Sequence, residues 1–518
     1  MTLTYHELHH AALKLGSNLT TLGARERSKI LIVIPNGVEF CILLWASILM
    51  RLTMITMDMT LLKASDSNHL KDTLRTLRPS IVVLPDQNAA ETVREAAQKL
   101  KLAPPLCVAS SPTISRDCNS FSELLTGNLS HGFEQELFQR LEMDDPNRIH
   151  SITFTSGTTS KPKGCPVRVK GMSHMLHSWS WLINEDNGVR ALQQLHNSRA
   201  IAPAQVLQTW KAGGTVVMPG RNFAIEDTLD AIENHGATFI VLSPTMVHRL
   251  SEVSKGCSLA TSSVRSIQIG GDAVTNDVLD KCARIFPKAS ICTHHGMSEG
   301  GAAFKWAFFD TPPTFIDTHG GVCPTGTVAA GSTVRVWDRR RNRIALRGKP
   351  GEMHISSSSI IEHYLGGADP DSFLVDATAR WFNTGDVAIM DDQGIVTILG
   401  RRKDAIEHSD GTLIMPSSIE NCLQEYLGTQ VCVVAMPHTV HGNRPVAIVA
   451  NMGTHSPSAA IDHVQQVLGP VYTPDHLLCL HDLELMKFPL NATGKVVRTT
   501  IQEAVLSSAY TQVGSMSR

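Results

Sequence analysis

The chain has no CxxC pair and no cysteine–histidine spacing suited to a metal, although eleven cysteines are scattered along its 518 residues. Disulfide frameworks and zinc modules show themselves by such spacings, so reduced thiols in a cytoplasmic compartment are expected. It also lacks a long apolar run: the longest, Phe40 to Met50, is bounded by Glu39 and Arg51. Crossing a bilayer takes about 20 apolar residues, so this segment reads as a buried helix and no membrane span is expected. The opening MTLTYHELHH has no signal-peptide pattern, and the closing Ser-Met-Ser-Arg is not the peroxisomal Ser-Lys-Leu address. An excess of one charge is missing too. The net charge of −2 gives no reason to expect nucleic acid or an anionic membrane as partner. The densest basic run, Arg339-Arg340-Arg341 with Arg343, Arg347 and Lys349, has no interleaved aromatics and reads as a solvated loop. No internal repeat or low-complexity tract stands out.

What is present describes a folded enzyme-sized chain. An apolar fraction of 42% and a charged fraction of 18% suit a packed protein, and the length asks for two or three units. The runs ILIVIP (30–35), SIVVLP (80–85), TVVMP (215–219), FIVLSP (239–244) and SIQIGG (266–271) read as buried strands of parallel sheets. Between them, segments such as 221–236 show apolar spacing near 3.6 and end on glycine, as crossover helices do. From 321 to 399 the pattern turns to antiparallel strands (TVRVW, EMHIS, IVTIL), and from about 405 it returns to mixed α/β with VCVVAMP, PVAIVA and LCLHDLEL. The polar stretch RRKD interrupts the apolar pattern at 401–404 and marks a hinge.

Four stretches carry chemistry. In TSGTTSKPKG (155–164), hydroxyls, a turn glycine and two lysines could wrap a triphosphate, although the GxxxxGK[ST] register of P-loop enzymes is absent. A generic Ser/Thr-rich turn is the alternative there. In ICTHHGMSEGG (291–301), Glu299 beside Ser298 offers the single carboxylate that magnesium on a triphosphate needs. His294-His295 suits zinc poorly, since consecutive strand residues face opposite ways and no third ligand stands at sensible spacing. Asp386 in WFNTGD could accept from both ribose hydroxyls, or could be an ordinary turn aspartate. Lys495 in FPLNATGKVVR could present an ammonium to a reaction centre.

Taken in order with GGDAV (270–274) and the continuous stretch 381–420, these pieces resemble the adenylate-forming, AMP-binding superfamily. The branch indicated is that of acyl- and aryl-CoA synthetases of the 4-coumarate:CoA ligase type. The resemblance implies an α/β fold. A large N-terminal domain (1–400) would hold parallel and mixed sheets with crossover helices plus a β-rich subdomain. A hinge at 401–404 would contain Lys403, and a small mobile α/β C-terminal domain (405–518) would carry the catalytic Lys495. ATP, Mg²⁺ and CoA are the implied cosubstrates and cofactor. Thr155, Ser156, Gly157, Thr158, Thr159 and Lys163 would hold the β- and γ-phosphates. Gly270, Gly271, Asp272 and Ala273 would flank the adenine with His294, His295 and Gly296. Ser298 would bond the α-phosphate, Glu299 would ligate the metal, and Asp386 and Arg401 would bind the ribose.

Several positions depart from the usual pattern: Ser160 for glycine, Ser298 for threonine, His295 for tyrosine, and Asn491 and Ala492 as turn variants, none of which removes a required group. Only 23 residues follow Lys495 and the carrier-type LGG[HD]S serine is missing, since the LGGAD at 365–369 has no serine. CoA is therefore the expected acceptor, a separate carrier protein the alternative, and a degenerate nucleotide- or acyl-binding protein the third reading. The acid pocket is expected near His196, Gly300 and Gly301, where the small residues would leave room. The apolar FIVLSPTM favours a hydrophobic acid, aromatic or medium-chain.

Overall fold

The computed structural model describes residues 2–63, 67–111, 118–129, 131–155, 162–183, 188–220, 223–254, 260–309, 311–408, 413–438, 442–490 and 496–515. The β-branched runs form two sheets. The first has seven strands in the order Asn119–Ser120, Leu106–Ala109, Ile81–Leu84, Lys29–Ile32, Thr53–Thr56, Ile149–Phe154 and Gly164–Arg168. Its pairings are parallel except the last, which is antiparallel. The second sheet is parallel throughout, ordered Ser290–His294, Ser266–Gly270, Phe239–Leu242, Arg190–Leu192 and Thr215–Val217. Ile240, Ile267 and Ile269 are fully buried, as the unbroken apolar runs require of strands covered on both faces.

Helices fill the intervals. The Phe40–Met50 run becomes the helix Val38–Leu49, whose Phe40, Leu43 and Leu44 are at most 1% exposed. The segment from 221 yields the helix Ile225–His235, stopped by Gly236 in the left-handed conformation. No helix among the described residues is long and apolar enough to cross a membrane.

A six-stranded antiparallel sheet follows, with Ser332–Asp338, Gly351–Ser357, Arg380–Met390 and Val396–Arg401 as its longest strands. In the last part Val431–His438 pairs antiparallel with Gly442–Val449, which pairs parallel with His476–Cys479. The expected run LCLHDLEL is strand only as far as Cys479. There the Asp482 carboxylate accepts from the Cys479 N–H at 2.7 Å and winds Leu480–Leu483 into a 3₁₀ turn. The helices Pro416–Leu427, Pro457–Leu468 and Arg498–Ser515 complete this part. Its cores, around Ile419, Leu423 and Val433 and around Cys432, Ile448 and Ile501, draw only on residues after Asp404. One small cluster, Val387, Ile389, Leu399 and Met415, joins it to the antiparallel sheet.

Candidate active site

Strand ends assemble the site. Gly270 and His294 are register partners at the carboxyl ends of neighbouring parallel strands, the place where open α/β sheets bind ligands. Glycine at 270 is required by proximity: a Cβ there would lie 2.5 Å from the His294 carbonyl oxygen. The two histidines part company as strand geometry demands. His294 packs edge-on against Trp179 at 4.9 Å, while His295 meets Phe304 at 5.7 Å and Asp386 at 3.4 Å. Burial, helped by the charge of His295, drives the His294 imidazole down to about 3, so it is neutral at physiological pH.

Asp386 lies inside the strand Arg380–Met390, so the turn reading of it is replaced by a sheet position. Cross-strand register sets it opposite Arg401, whose Nε comes within 3.2 Å of its carboxylate while Nη1 donates to the Thr384 carbonyl at 2.9 Å. The side chain is 9% exposed. Burial works against its charge, but the hydrogen bond from His295 and the Arg401 guanidinium outweigh it and hold the carboxyl below the usual range. The result is an ionised acceptor, buried and aligned by two strands. After Arg401 the chain leaves the sheet in a single 3₁₀ turn, Arg402–Asp404, which contains Lys403.

Thr155 follows the strand Ile149–Phe154, and its backbone and hydroxyl both bond the backbone of Lys163 at 3.0 Å, closing the base of the phosphate-loop sequence. Ser156, Gly157, Thr158 and Thr159, with Ser160, lie outside the described residues, as does Lys495. Leu490 and Val496, the described residues on either side of it, form an antiparallel bridge. Ser298 donates to the Phe154 carbonyl at 3.3 Å and receives the Thr153 hydroxyl on its own carbonyl at 3.4 Å, which seats it beside the phosphate-loop base. Glu299 accepts a 2.5 Å hydrogen bond from Tyr364. Lys163 is ion-paired with Asp369 and stands 4.7 Å over the Tyr364 ring. Burial, then the charge of Glu299, push the Tyr364 hydroxyl up, so it remains a donor.

The residues expected at the acid pocket have close neighbours. Gly300 and Gly301 do not leave open space: a Cβ at 300 would lie 2.6 Å from the Ser359 carbonyl, and one at 301 would lie 3.1 Å from the Trp179 ring. Their smallness admits the backbone of Ser359 and Ile360 and an indole. His196 bonds Ser198 at 2.9 Å and faces Asp58 at 3.9 Å, so its polar partners are not those of Glu299. The sequence reading missed Tyr364 and Asp369. They lie 65 and 206 residues from the groups they hold, and only the fold brings them there.

Comparison with known proteins shows the family. Residues 1–365 match the model of the AMP-binding enzyme family, and residues 419–495 match its C-terminal domain. The chain belongs to the AMP-binding enzyme family. It is 42% identical over 508 residues to an acyl–CoA ligase of Pestalotiopsis microspora, covering 98% of this chain and 87% of that protein. It is 25% identical to 4-coumarate–CoA ligase 3 of Arabidopsis thaliana, over 86% of this chain and 77% of that one. In fold it is similar to ATP-bound MatB from Rhodopseudomonas palustris (TM-score 0.78, 19% identity, 97% and 93% of the two chains). It is also similar to the O-succinylbenzoate coenzyme A synthetase of Bacillus subtilis in complex with ATP and magnesium (TM-score 0.75, 18% identity, 97% and 95%).

Proposed function

We propose that this member of the family converts a hydrophobic carboxylic acid, aromatic or medium-chain, to an acyl-adenylate and then to an acyl-CoA. The observation that carries the reading is one run of contacts linking three separate stretches. Asp386 meets both His295 and Arg401, Ser298 meets the phosphate-loop base, and Glu299 meets Lys163 through Tyr364. That arrangement offers a buried anionic acceptor for ribose hydroxyls at one end and hydroxyl, ammonium and carboxylate groups for a triphosphate at the other.

In the first half-reaction a carboxylate oxygen of the acid attacks the α-phosphorus, and the bond from that phosphorus to the pyrophosphate oxygen breaks. The acid is already ionised at neutral pH, so no general base is required. Ser298 is assigned to orient the α-phosphate, Thr155 and Lys163 to hold the leaving pyrophosphate, and Lys495 to bridge the acid and the α-phosphate as negative charge grows there. The donors around Glu299 suit a hard divalent cation, with one carboxylate oxygen bound by Tyr364 and the other without a hydrogen-bond partner among the described residues. When bound there, Mg²⁺ would supply further neutralisation of phosphate charge. In the second half-reaction the CoA sulfur attacks the acyl carbon and AMP leaves. The turn at 401–404 is assigned as the pivot between 1–400 and 405–518 that exchanges the two half-reactions, and a reducing, cytoplasmic compartment is proposed with it.

The test is a panel of carboxylic acids supplied with ATP and Mg²⁺, with and without CoA. Pyrophosphate and acyl-AMP without CoA, and acyl-CoA plus AMP with it, are expected for aromatic or medium-chain acids. Transfer to a holo-carrier protein but not to CoA would replace the acceptor, and no mixed anhydride from any acid would overturn the reading.

A further inference from the structure

The segment 361–369 crosses the mouth of the phosphate-loop base and grips Glu299 at two points. The Ile361 N–H donates to the Glu299 backbone carbonyl at 2.9 Å, and the Tyr364 hydroxyl donates to its carboxylate Oε1 at 2.5 Å. Tyr364 is itself fixed. It is 3% exposed, its ring meets Phe373 at 5.4 Å and Phe382 at 6.4 Å, and the Lys163 ammonium caps its face. Leu365 next to it packs on Gly164, where a Cβ would lie 3.1 Å away.

The geometry points to Tyr364 as a positioning residue that fixes one Glu299 oxygen so that the other presents itself, singly and in one direction, to a divalent cation on ATP. This rests on the assignment of Glu299 as metal ligand made above. A carboxylate on a free side chain can offer both oxygens and many rotamers, whereas Mg²⁺ demands near-octahedral geometry and takes one oxygen from each of one or two carboxylates. Hydrogen-bond partners of metal-ligating groups typically contribute about 10–100-fold in metal affinity or activity. The same ring carries Lys163, so the carboxylate for the cation and the ammonium for the phosphates share one support.

The experiment is Tyr364→Phe in the full-length chain, which keeps the ring and its aromatic neighbours and removes only the hydroxyl. The readout is Mn²⁺ binding followed by electron paramagnetic resonance in the presence of a non-hydrolysable ATP analogue, with analogue affinity in metal-free buffer measured alongside. Mn²⁺ affinity about tenfold weaker is expected, with metal-free analogue binding unchanged, and kcat lowered while KM for the acid holds. A purely structural role would lower the melting temperature and leave Mn²⁺ affinity as in the wild type, and that result overturns the proposal. Glu299→Gln separates the two claims. If it weakens Mn²⁺ binding and Y364F does not, Tyr364 has no such role; if Glu299→Gln also binds Mn²⁺ normally, the metal assignment itself is wrong.

Discussion

At the end of the site assigned to the ribose, Asp386 is 9% exposed and held between two adjoining strands, with Arg401 as its register partner and His295 against its other oxygen. At the end assigned to the phosphates, Lys163 and Asp369 are 27% and 36% exposed and pair across 206 residues of sequence, on loops rather than strands. Sheet register gives the first set its geometry before any ligand arrives. The second set neutralises itself, and under the proposed function it would exchange partners when a triphosphate binds. The comparison separates a rigid recognition corner from an adjustable charged one, and opposite effects of removing charge are expected at the two ends.

Asp386→Asn should produce the largest loss of ATP affinity. A hydrogen bond to a charged group contributes about 1.5–3 kcal/mol, so binding roughly 10–150-fold weaker by calorimetry is expected. The pH dependence follows from the direction of its shift. With its folded value below the ordinary carboxylate range, the ionised form and its contribution persist above that range and fade only as pH falls through the lower value. The affinity difference between wild type and Asp386→Asn should therefore be flat from about pH 7.5 to about pH 5. A difference that shrinks steeply across that window would show that Asp386 is not pre-ionised.

Gly270→Ala probes the scaffold under the same corner. The added Cβ meets a backbone oxygen at 2.5 Å, so the strand pair must spread, at a cost of about 1–3 kcal/mol. A lower melting temperature with weakened adenosine binding is expected; a wild-type melting curve would mean that the close approach is easily relaxed.

Asp369→Asn should do the reverse of Asp386→Asn. Its ion pair with Lys163 is partly exposed and contributes at most about 1 kcal/mol, so releasing the lysine should tighten ATP binding up to about fivefold. Weaker ATP binding in this variant would make Asp369 a support for the lysine and not its competitor, and the contrast between the two ends would fail.

The parts legible in the sequence are those that periodicity and short motifs encode. The buried strands, the helix stopped at Gly236 and the presence of an antiparallel sheet after 321 follow from apolar spacing and turn residues, whereas the register that pairs Asp386 with Arg401 appears only in the fold. Family resemblance supplied roles for Glu299, Ser298 and Lys163, but not their partners. Tyr364 and Asp369 sit in a segment whose local sequence, YLGGAD, signals only a turn. Their importance comes from packing against Gly164, Lys163 and Glu299, which no local pattern contains. The neighbours of Gly300 and Gly301 were hidden for a related reason: composition shows that a side chain is missing and cannot show that Ser359 and Trp179 lie against the two glycines. The end of LCLHDLEL was likewise decided by one capping carboxylate, Asp482.

The most direct test of the chemistry assigned to this site divides the reaction in two in a Lys495→Ala variant. Single-turnover formation of acyl-AMP from acid and ATP should fall by about 10²–10³, while thioester formation from supplied acyl-AMP and CoA should keep its wild-type rate. Equal losses in both halves, or adenylate formed at the wild-type rate, would contradict the account.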